Sequence, residues 1–576
     1  MTLRRDTQQL QQQYDVIIVG GGITGVCVAR ECAGRGLRTL MVDKGDFGHG
    51  TSSATTKYIH GGIRYLETYQ FGVVRESLIE RRHLALSAPH LVSQRRFLMP
   101  AWSWSKPPAP LIGAGVGLYT ALGFDRNRHM PKSMHIPLPR WVSKKSLVRD
   151  VPWLDQRGLR GAFAYHDTLN EHPERLLLAM LQSAVGLGAV ALNYLEATGF
   201  LFDHPNSSAT EPITVTGVRL RDALDGSEYQ VRGTTVVNAG GPWMDTVLAP
   251  IGRSMGVKVQ RSKGSHLLTT PIAGVNNPHD TVFARARSGQ HVIVSPWQGY
   301  SYIGPTDIAT DYSPDEVRTD SSDVQLILDT VNDTIAVDQA KLTKADIQSV
   351  SIGVRPLIVD ESKSSYSTSR RHELYDHTRS GVTNLWSIGG GKWTTSRALG
   401  VEVAETLLKS AALASVSRRT YDSRKLGVYG AFAWAQDPAP FLQGVVAGPR
   451  PDSLTPQVME HLARLYGTEY QRVVDLVQRD ASLGERLSDQ PGRLDIAAQA
   501  VFAVTDESAR TVADVLDRRL VLGTLGRVSA AEVAAVAAAM AQPMGWSHAA
   551  AKDAAQREVA RRQAITDVWQ RASAPA

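Results

Sequence analysis

Cysteine is almost absent: Cys27 and Cys32 are the two in 576 residues, and both fall on what reads as a single helix. That excludes a disulfide framework and a CxxC redox or metal site, so redox chemistry has to come from a bound cofactor. No group of His, Cys, Asp or Glu has metal-ligand spacing and no GxSxG motif occurs, so neither a metal nor a nucleophilic serine is expected. The opening stretch MTLRRDTQQLQQQ lacks the apolar core of a secretory signal, and a cytoplasmic protein is expected. A lysine-rich arm and an aromatic RNA-binding motif are both missing, which sets nucleic acid aside as a partner. The eighteen residues Pro107 to Phe124 carry no charge, yet Pro107, Pro108, Pro110 and four glycines would leave backbone groups unpaired in lipid. Two readings stay open for that segment: one that dips into a membrane surface, and an apolar loop with a short helix.

What is present describes an ordinary globular chain, with 43% hydrophobic and 21% charged residues and length for roughly two to four domains. Lysine and arginine exceed aspartate and glutamate by 63 to 56, a balance of +7 that suits anionic substrates or acidic lipid surfaces. No internal repeat is found.

The chain is organised around Asp15 to Asp43. The β-branched run Val16 to Val19 reads as a buried parallel strand and leads directly into Gly20, Gly22 and Gly25, spaced as GxGxxG. A helix with Val26, Val28, Ala29 and Ala33 on its packed side follows, then a second strand, Leu37 to Val42, ending at Asp43. That order is the context a dinucleotide-binding βαβ unit demands. The glycines allow a tight turn, close approach of a pyrophosphate and close helix packing, while Asp43 can accept a ribose hydroxyl.

Gly45 to Glu67 is dense in hydroxyls, with Ser52, Ser53 and Lys57 suited to phosphate oxygens and His60 to Gly62 suited to a flat ring lying on bare backbone. GGGITG, TSSATTKYIHGGIRYLE, KGSHLL, SIGVRPL and GGGKWTT together resemble the FAD-dependent glycerol-3-phosphate dehydrogenase family, over about residues 14 to 545. The resemblance implies FAD bound by Gly20, Gly22, Ile23, Thr24 and Gly25, by Asp43 and Lys44, and by Thr51, Ser52, Ser53, Thr56 and Lys57. It extends that set to His60, Gly61 and Gly62, to Ala239, Gly240 and Trp243, and to Gly391, Lys392, Trp393 and Thr394. Departures fall at Asp167, Thr168, Glu171 and His172, where the family is expected to carry Asp-Gly and Asn-Asp pairs; cofactor contacts from Asn170 to His172 are therefore in question.

The fold implied is α/β: a Rossmann-like FAD-binding domain of the glutathione-reductase and D-amino-acid-oxidase type, an inserted antiparallel-sheet substrate domain and an all-helical C-terminal domain. Segments 14–90, 165–245 and 380–415 are assigned to the first, 91–164 and 246–379 to the second, 416–545 to the third and 546–576 to a helical tail. Helices are expected over 75–90, from Pro173, over Leu462 to Val477 and over Val501 to Leu520. Strands are expected at Ile213 to Leu220, Tyr229 to Val231 and from Thr235, and Pro438, Pro440, Pro449 and Pro451 are read as a loop.

Oxidising a secondary alcohol on flavin needs a base for the hydroxyl proton and, where the alcohol carries phosphate, fixed cations. Arg64, Arg355 and Lys392 are the cations, with Tyr65 beside Arg64 implied as a further substrate contact. His60 and His266 are the base candidates, and the sequence does not choose between them. The resemblance implies oxidation of sn-glycerol 3-phosphate to dihydroxyacetone phosphate, with electrons passed to a membrane quinone. It also implies peripheral contact with anionic lipid on the inner face of the cell membrane, and it leaves a homodimer open. The rivals are an oxygen-using oxidase of the same family and a flavin-fold protein that binds membranes without turnover.

Overall fold

A computed structural model describes residues 2–204, 211–272, 280–359, 372–432 and 435–571. Two sheets dominate the described residues, one of nine strands and one of ten. The first is built on β1 (Gln13–Val19), whose Val16, Ile17 and Ile18 are fully buried, as a central parallel strand requires. β1 leads into α1 (Ile23–Gly34) and returns to β2 (Thr39–Val42), which pairs parallel to it with Val16 opposite Thr39. On the other side of β1 lies β3 (Glu228–Asn238), also parallel, with Val19 opposite Asn238. The two strands expected at Tyr229 and Thr235 are this one continuous strand. Beyond it β4 (Leu385–Gly389) is again parallel. The ends of β1, β2, β3 and β4 therefore lie together, the place where a doubly wound sheet binds its ligand.

The second sheet runs largely antiparallel, and toward one side of it the long antiparallel pair Lys258–Thr269 and Ile347–Val359 sets His266 on one strand and Arg355 on the other. One expected boundary falls inside a strand, and another leaves a strand of the first sheet on the wrong side. Residue 164/165 is interior to the strand Leu159–Asn170, which pairs with Val92–Trp102, and Glu373–Asp376, expected in the substrate domain, pairs with β4 in the first sheet. Segments 205–210, 273–279, 360–371, 433–434 and 572–576 of the expected domains lie outside the described residues.

Past residue 415 the chain is helical. The helix expected over Leu462 to Val477 is two, Pro456–Tyr466 and Tyr470–Arg479, because Gly467 turns to φ +58 against the Gly430 carbonyl. The helix expected over Val501 to Leu520 also breaks. Ala497–Asp506 stops where Glu507 turns inward to pair with Arg175 at 2.7 Å, and a new helix starts at Val512 behind a capping box of Thr511 and Asp514. The Pro438 stretch opens a helix, Pro438–Ala447, with Pro438 at its first position. The expected 75–90 helix runs Phe71–Ser87, and Pro173 begins Pro173–Gly186. Pro107 to Phe124 contains the helix Ala109–Leu122, which buries Val116 and Tyr119 and leaves Leu111 and Leu118 exposed, as is Phe124 just past its end. No helix among the described residues is long and apolar enough to cross a membrane.

Candidate functional site

A cavity of about 590 Å³ opens where the strand ends of the first sheet meet the second sheet. At one end it is floored by Gly20, Gly22, Ile23 and Thr24. Gly22 is the N-cap of α1 and brings no side chain, so the helix N-terminus faces the cavity. Ser52 Oγ reaches across to accept from the Ile23 N–H at 2.9 Å. Gly25 lies behind, where a Cβ would collide with the Gly20 carbonyl. Asp43 accepts from the Gly21 and Gly45 amides at 2.6 and 2.8 Å and keeps a face on the cavity. Lys44 pairs with Asp315 at 2.8 Å and lies 4.6 Å above the Trp243 ring. Ala239, Gly240 and Trp243 form the opposite wall, and a Cβ on Gly20 would lie 2.5 Å from the Ala239 oxygen, so that strand end passes as close as backbone allows.

The other end carries the polar side chains. His266 is 3% exposed, stacked on Tyr302, and neither ring nitrogen has a hydrogen-bond partner among the described residues. Burial, with help from Arg355 and Lys57, pushes its pKa down to about 3. Arg355 stands opposite Ser262 in the strand pair; its Nη1 donates to Asp307 at 3.1 Å and its Nη2 to the Thr306 carbonyl at 3.0 Å. Gly264 and Gly353 face each other in the same register and keep the approach beside Arg355 and His266 clear. Lys392 Nζ lies 3.6 Å from the Tyr65 ring centre and 3.2 Å from Ser77 Oγ. His60 also lines the cavity, and burial pushes its pKa down to about 4. Both imidazoles are neutral at pH 7. Four basic side chains, Lys44, Arg221, Arg355 and Lys392, line the cavity against Asp43 and Glu196.

Thr51, Thr56, Gly391, Trp393 and Thr394 complete the expected residues on this surface, with Thr51 Oγ1 donating to the Val354 carbonyl at 2.6 Å and Trp393 Nε1 to the Ser52 carbonyl at 3.2 Å. Others are directed elsewhere. Ser53 spends its hydroxyl on the Gly48 carbonyl at 2.9 Å. Lys57, at φ +61, turns into the second sheet, 4.0 Å from Glu174 and 4.3 Å from the Trp297 ring centre. Gly61 and Gly62 lie behind the wall, the Gly61 amide donating to Tyr119 Oη at 2.8 Å. Arg64 is exposed and lines a neighbouring cavity with Leu111 and Trp104. The strand Leu195–Phe202 supplies Glu196 to Thr198, a contribution no motif announced. Asp167 and Asn170 are buried off the cavity. Asp167 holds Arg81 and accepts from Tyr119 at 2.7 Å, so the departing segment braces the His60–Gly62 turn from behind.

The profile of the family described as FAD dependent oxidoreductase matches residues 15–406, and that of the C-terminal domain of alpha-glycerophosphate oxidase matches 382–551. A glycerol-3-phosphate dehydrogenase of Synechocystis is 34% identical over 529 residues, 88% of each chain. The chain belongs to the FAD-dependent glycerol-3-phosphate dehydrogenase family. The human mitochondrial glycerol-3-phosphate dehydrogenase is 30% identical over 557 residues, covering 94% of this chain and 72% of that one. The fold matches a glycerol-3-phosphate dehydrogenase of Bacillus halodurans solved with FAD, at TM-score 0.75 and 23% identity over 98% of both chains.

FAD is the cofactor of this family, and the cavity fits it. The floor at Gly22 and the wall at Ala239 are bare enough for a pyrophosphate, and a Cβ on Gly22 would come within 3.2 Å of Ser52 Oγ. The unpartnered nitrogens of buried His266 are the polar atoms a ligand at the far end would satisfy.

Proposed function

We propose that this member of the family oxidises sn-glycerol 3-phosphate to dihydroxyacetone phosphate, with electrons leaving to a membrane quinone. The observation that carries the substrate end is a buried, neutral His266, its ring nitrogens without a partner among the described residues, on the cavity wall shared with Arg355 and Lys392. FAD, when bound, supplies the hydride acceptor. Arg355 holds the phosphate as a planar fork and shares its charge with Asp307, while Lys392 adds a point charge held by Ser77 and the Tyr65 ring. His266 accepts the hydroxyl proton at Nδ1 or Nε2. A phosphate beside Arg355 offsets the cation that depresses the imidazole and so strengthens the base. His60 serves the same site from the opposite turn.

A second cavity of about 910 Å³, lined by Met99, Trp102, Trp104, Leu111 and Leu118, supports the quinone reading. The short turn Ile63–Thr68 separates it from the first, with Tyr65 on one side and Arg64 on the other. The exposed Leu111, Leu118 and Phe124, the +7 balance and the lack of a spanning helix among the described residues support peripheral docking on anionic lipid. The test is reoxidation of the substrate-reduced protein in stopped flow. Fast reaction with a short-chain quinone analogue and slow reaction with air-saturated buffer is expected; the reverse order makes this an oxidase.

A further inference from the structure

The loop between β2 and the hydroxyl-rich segment faces the cofactor cavity through Asp43, Lys44, Gly48, His49 and Gly50. Its middle residue, Asp46, points the other way and is 2% exposed. Arg519 grips that carboxylate as a fork, Nη1 and Nη2 each at 2.8 Å from one oxygen, while Arg518 Nε donates at 2.5 Å and Asn193 Nδ2 at 3.0 Å. Arg519 is fully buried, and its remaining donors end on the Glu507 carbonyl; Arg518 is itself held by Asp514 at 2.7 Å. Burial opposes the Asp46 charge, and the two guanidiniums outweigh it, holding the carboxyl well below the ordinary carboxylate range. The loop in turn holds the fingerprint: the Gly48 N–H donates to the Gly21 carbonyl at 3.0 Å, and Phe47 packs so tightly on Gly21 that a Cβ there would lie 2.7 Å from its ring.

We propose that Arg518 and Arg519 are positioning residues for the cofactor: the C-terminal helical region clamps Asp46 and so fixes the loop that walls the FAD site, across 473 residues of chain. This rests on the reading of the cavity as the FAD site. The fork geometry supports a directional role over simple charge balance. Two parallel N–H···O bonds fix the carboxylate plane and therefore the path of the loop on either side. Losing the clamp leaves Asp46 buried beside fewer donors, and the loop's route to relief is to move away from the fingerprint.

The test uses the full chain, stripped of flavin and titrated with FAD, with flavin fluorescence as the readout. Arg519→Gln and Asp46→Asn are expected to raise the FAD Kd roughly ten- to a hundredfold, the range of one or two charged hydrogen bonds. Arg519→Lys is expected to fall between these and the parent. Arg493→Gln is the comparison, since it breaks a buried ion pair to Glu532 in the same helical region, at 2.8 Å, without touching the loop. Amide exchange at residues 44 to 50 in the flavin-free protein is expected to quicken in the Arg519 and Asp46 variants only. Should Arg519→Gln fail to fold, Arg518→Gln, which leaves the fork in place, is expected to raise the Kd by a smaller factor. A Kd within twofold of the parent, or an equal rise in Arg493→Gln, overturns the clamp. A parent protein that binds no FAD overturns the reading beneath it.

Discussion

His266 lies flat on Tyr302, ring centres 4.9 Å apart and planes 10° from parallel. Tyr302 is fixed in turn by its Oη bond to the Thr55 carbonyl at 2.9 Å, so packing holds the imidazole in place, with both ring nitrogens buried and without a hydrogen-bond partner among the described residues. His266→Asn should keep flavin bound and slow flavin reduction by glycerol 3-phosphate about 10²- to 10⁴-fold, the range of a positioned general base. Anaerobic stopped flow measures this directly. A rate unchanged within threefold moves the base role to His60.

On the proposed reading, Arg355 confers specificity by holding the substrate phosphate. Arg355→Ala should cost roughly ten- to a hundredfold in kcat/KM on glycerol 3-phosphate, from loss of a charged hydrogen bond of about 1.5 to 3 kcal/mol. Plain glycerol, which lacks the phosphate, should lose much less. Arg355→Lys should remain impaired, because a point charge cannot replace the fork that spans Asp307 and Thr306. Equal losses on both substrates would make Arg355 a structural partner of Asp307.

Gly22→Val places a branched side chain on the floor of the cavity, within reach of Ser52 Oγ. Purified variant should carry little flavin by its absorbance ratio while retaining a cooperative unfolding transition. Full flavin content would remove the fingerprint from the binding site.

His90 and His172 are buried at the seam between the second sheet and the C-terminal helices, and both are held neutral. Burial, with Arg175 nearby, pushes His90 from 6.5 to about 3, and burial with Lys57, His461 and Arg175 lowers His172 well below 6.5. The unfolded chain takes up protons near pH 6.5 that the folded chain refuses, so stability is full above that pH and is lost as pH falls toward the folded values. Each histidine contributes a slope of about 1.4 kcal/mol per pH unit in that window, about 2.7 for the pair. Urea midpoints at pH 7.5, 6, 5 and 4.5 should fall accordingly, and His90→Gln should flatten the fall. A midpoint constant from pH 7.5 to 5 contradicts the assignment.

The dinucleotide unit was legible because its contacts are local: Gly20, Gly25 and Asp43 meet within one βαβ passage, and spacing alone encodes that. Placing His266 beside Arg355 needed two motifs that pair only as strands, and family resemblance supplied what periodicity does not. A motif position does not tell which way a residue at positive φ points, and Lys57 turns into the second sheet. The apolar periodicity over Val501 to Leu520 survives the break in the helix, while the cause, Glu507 turning in toward Arg175, is a contact 332 residues distant. The same distance problem hid Asp46 and Arg519, two charged residues that look solvated until the fold buries them together.

On the proposed reading, this cavity holds FAD and reduces it with glycerol 3-phosphate. The direct measurement is the visible spectrum of the purified protein, recorded anaerobically before and after adding that substrate. An oxidised flavin spectrum that bleaches with glycerol 3-phosphate and persists with an equal concentration of glycerol is expected. A colourless protein that takes up no FAD, or a flavin that glycerol 3-phosphate leaves oxidised, contradicts it.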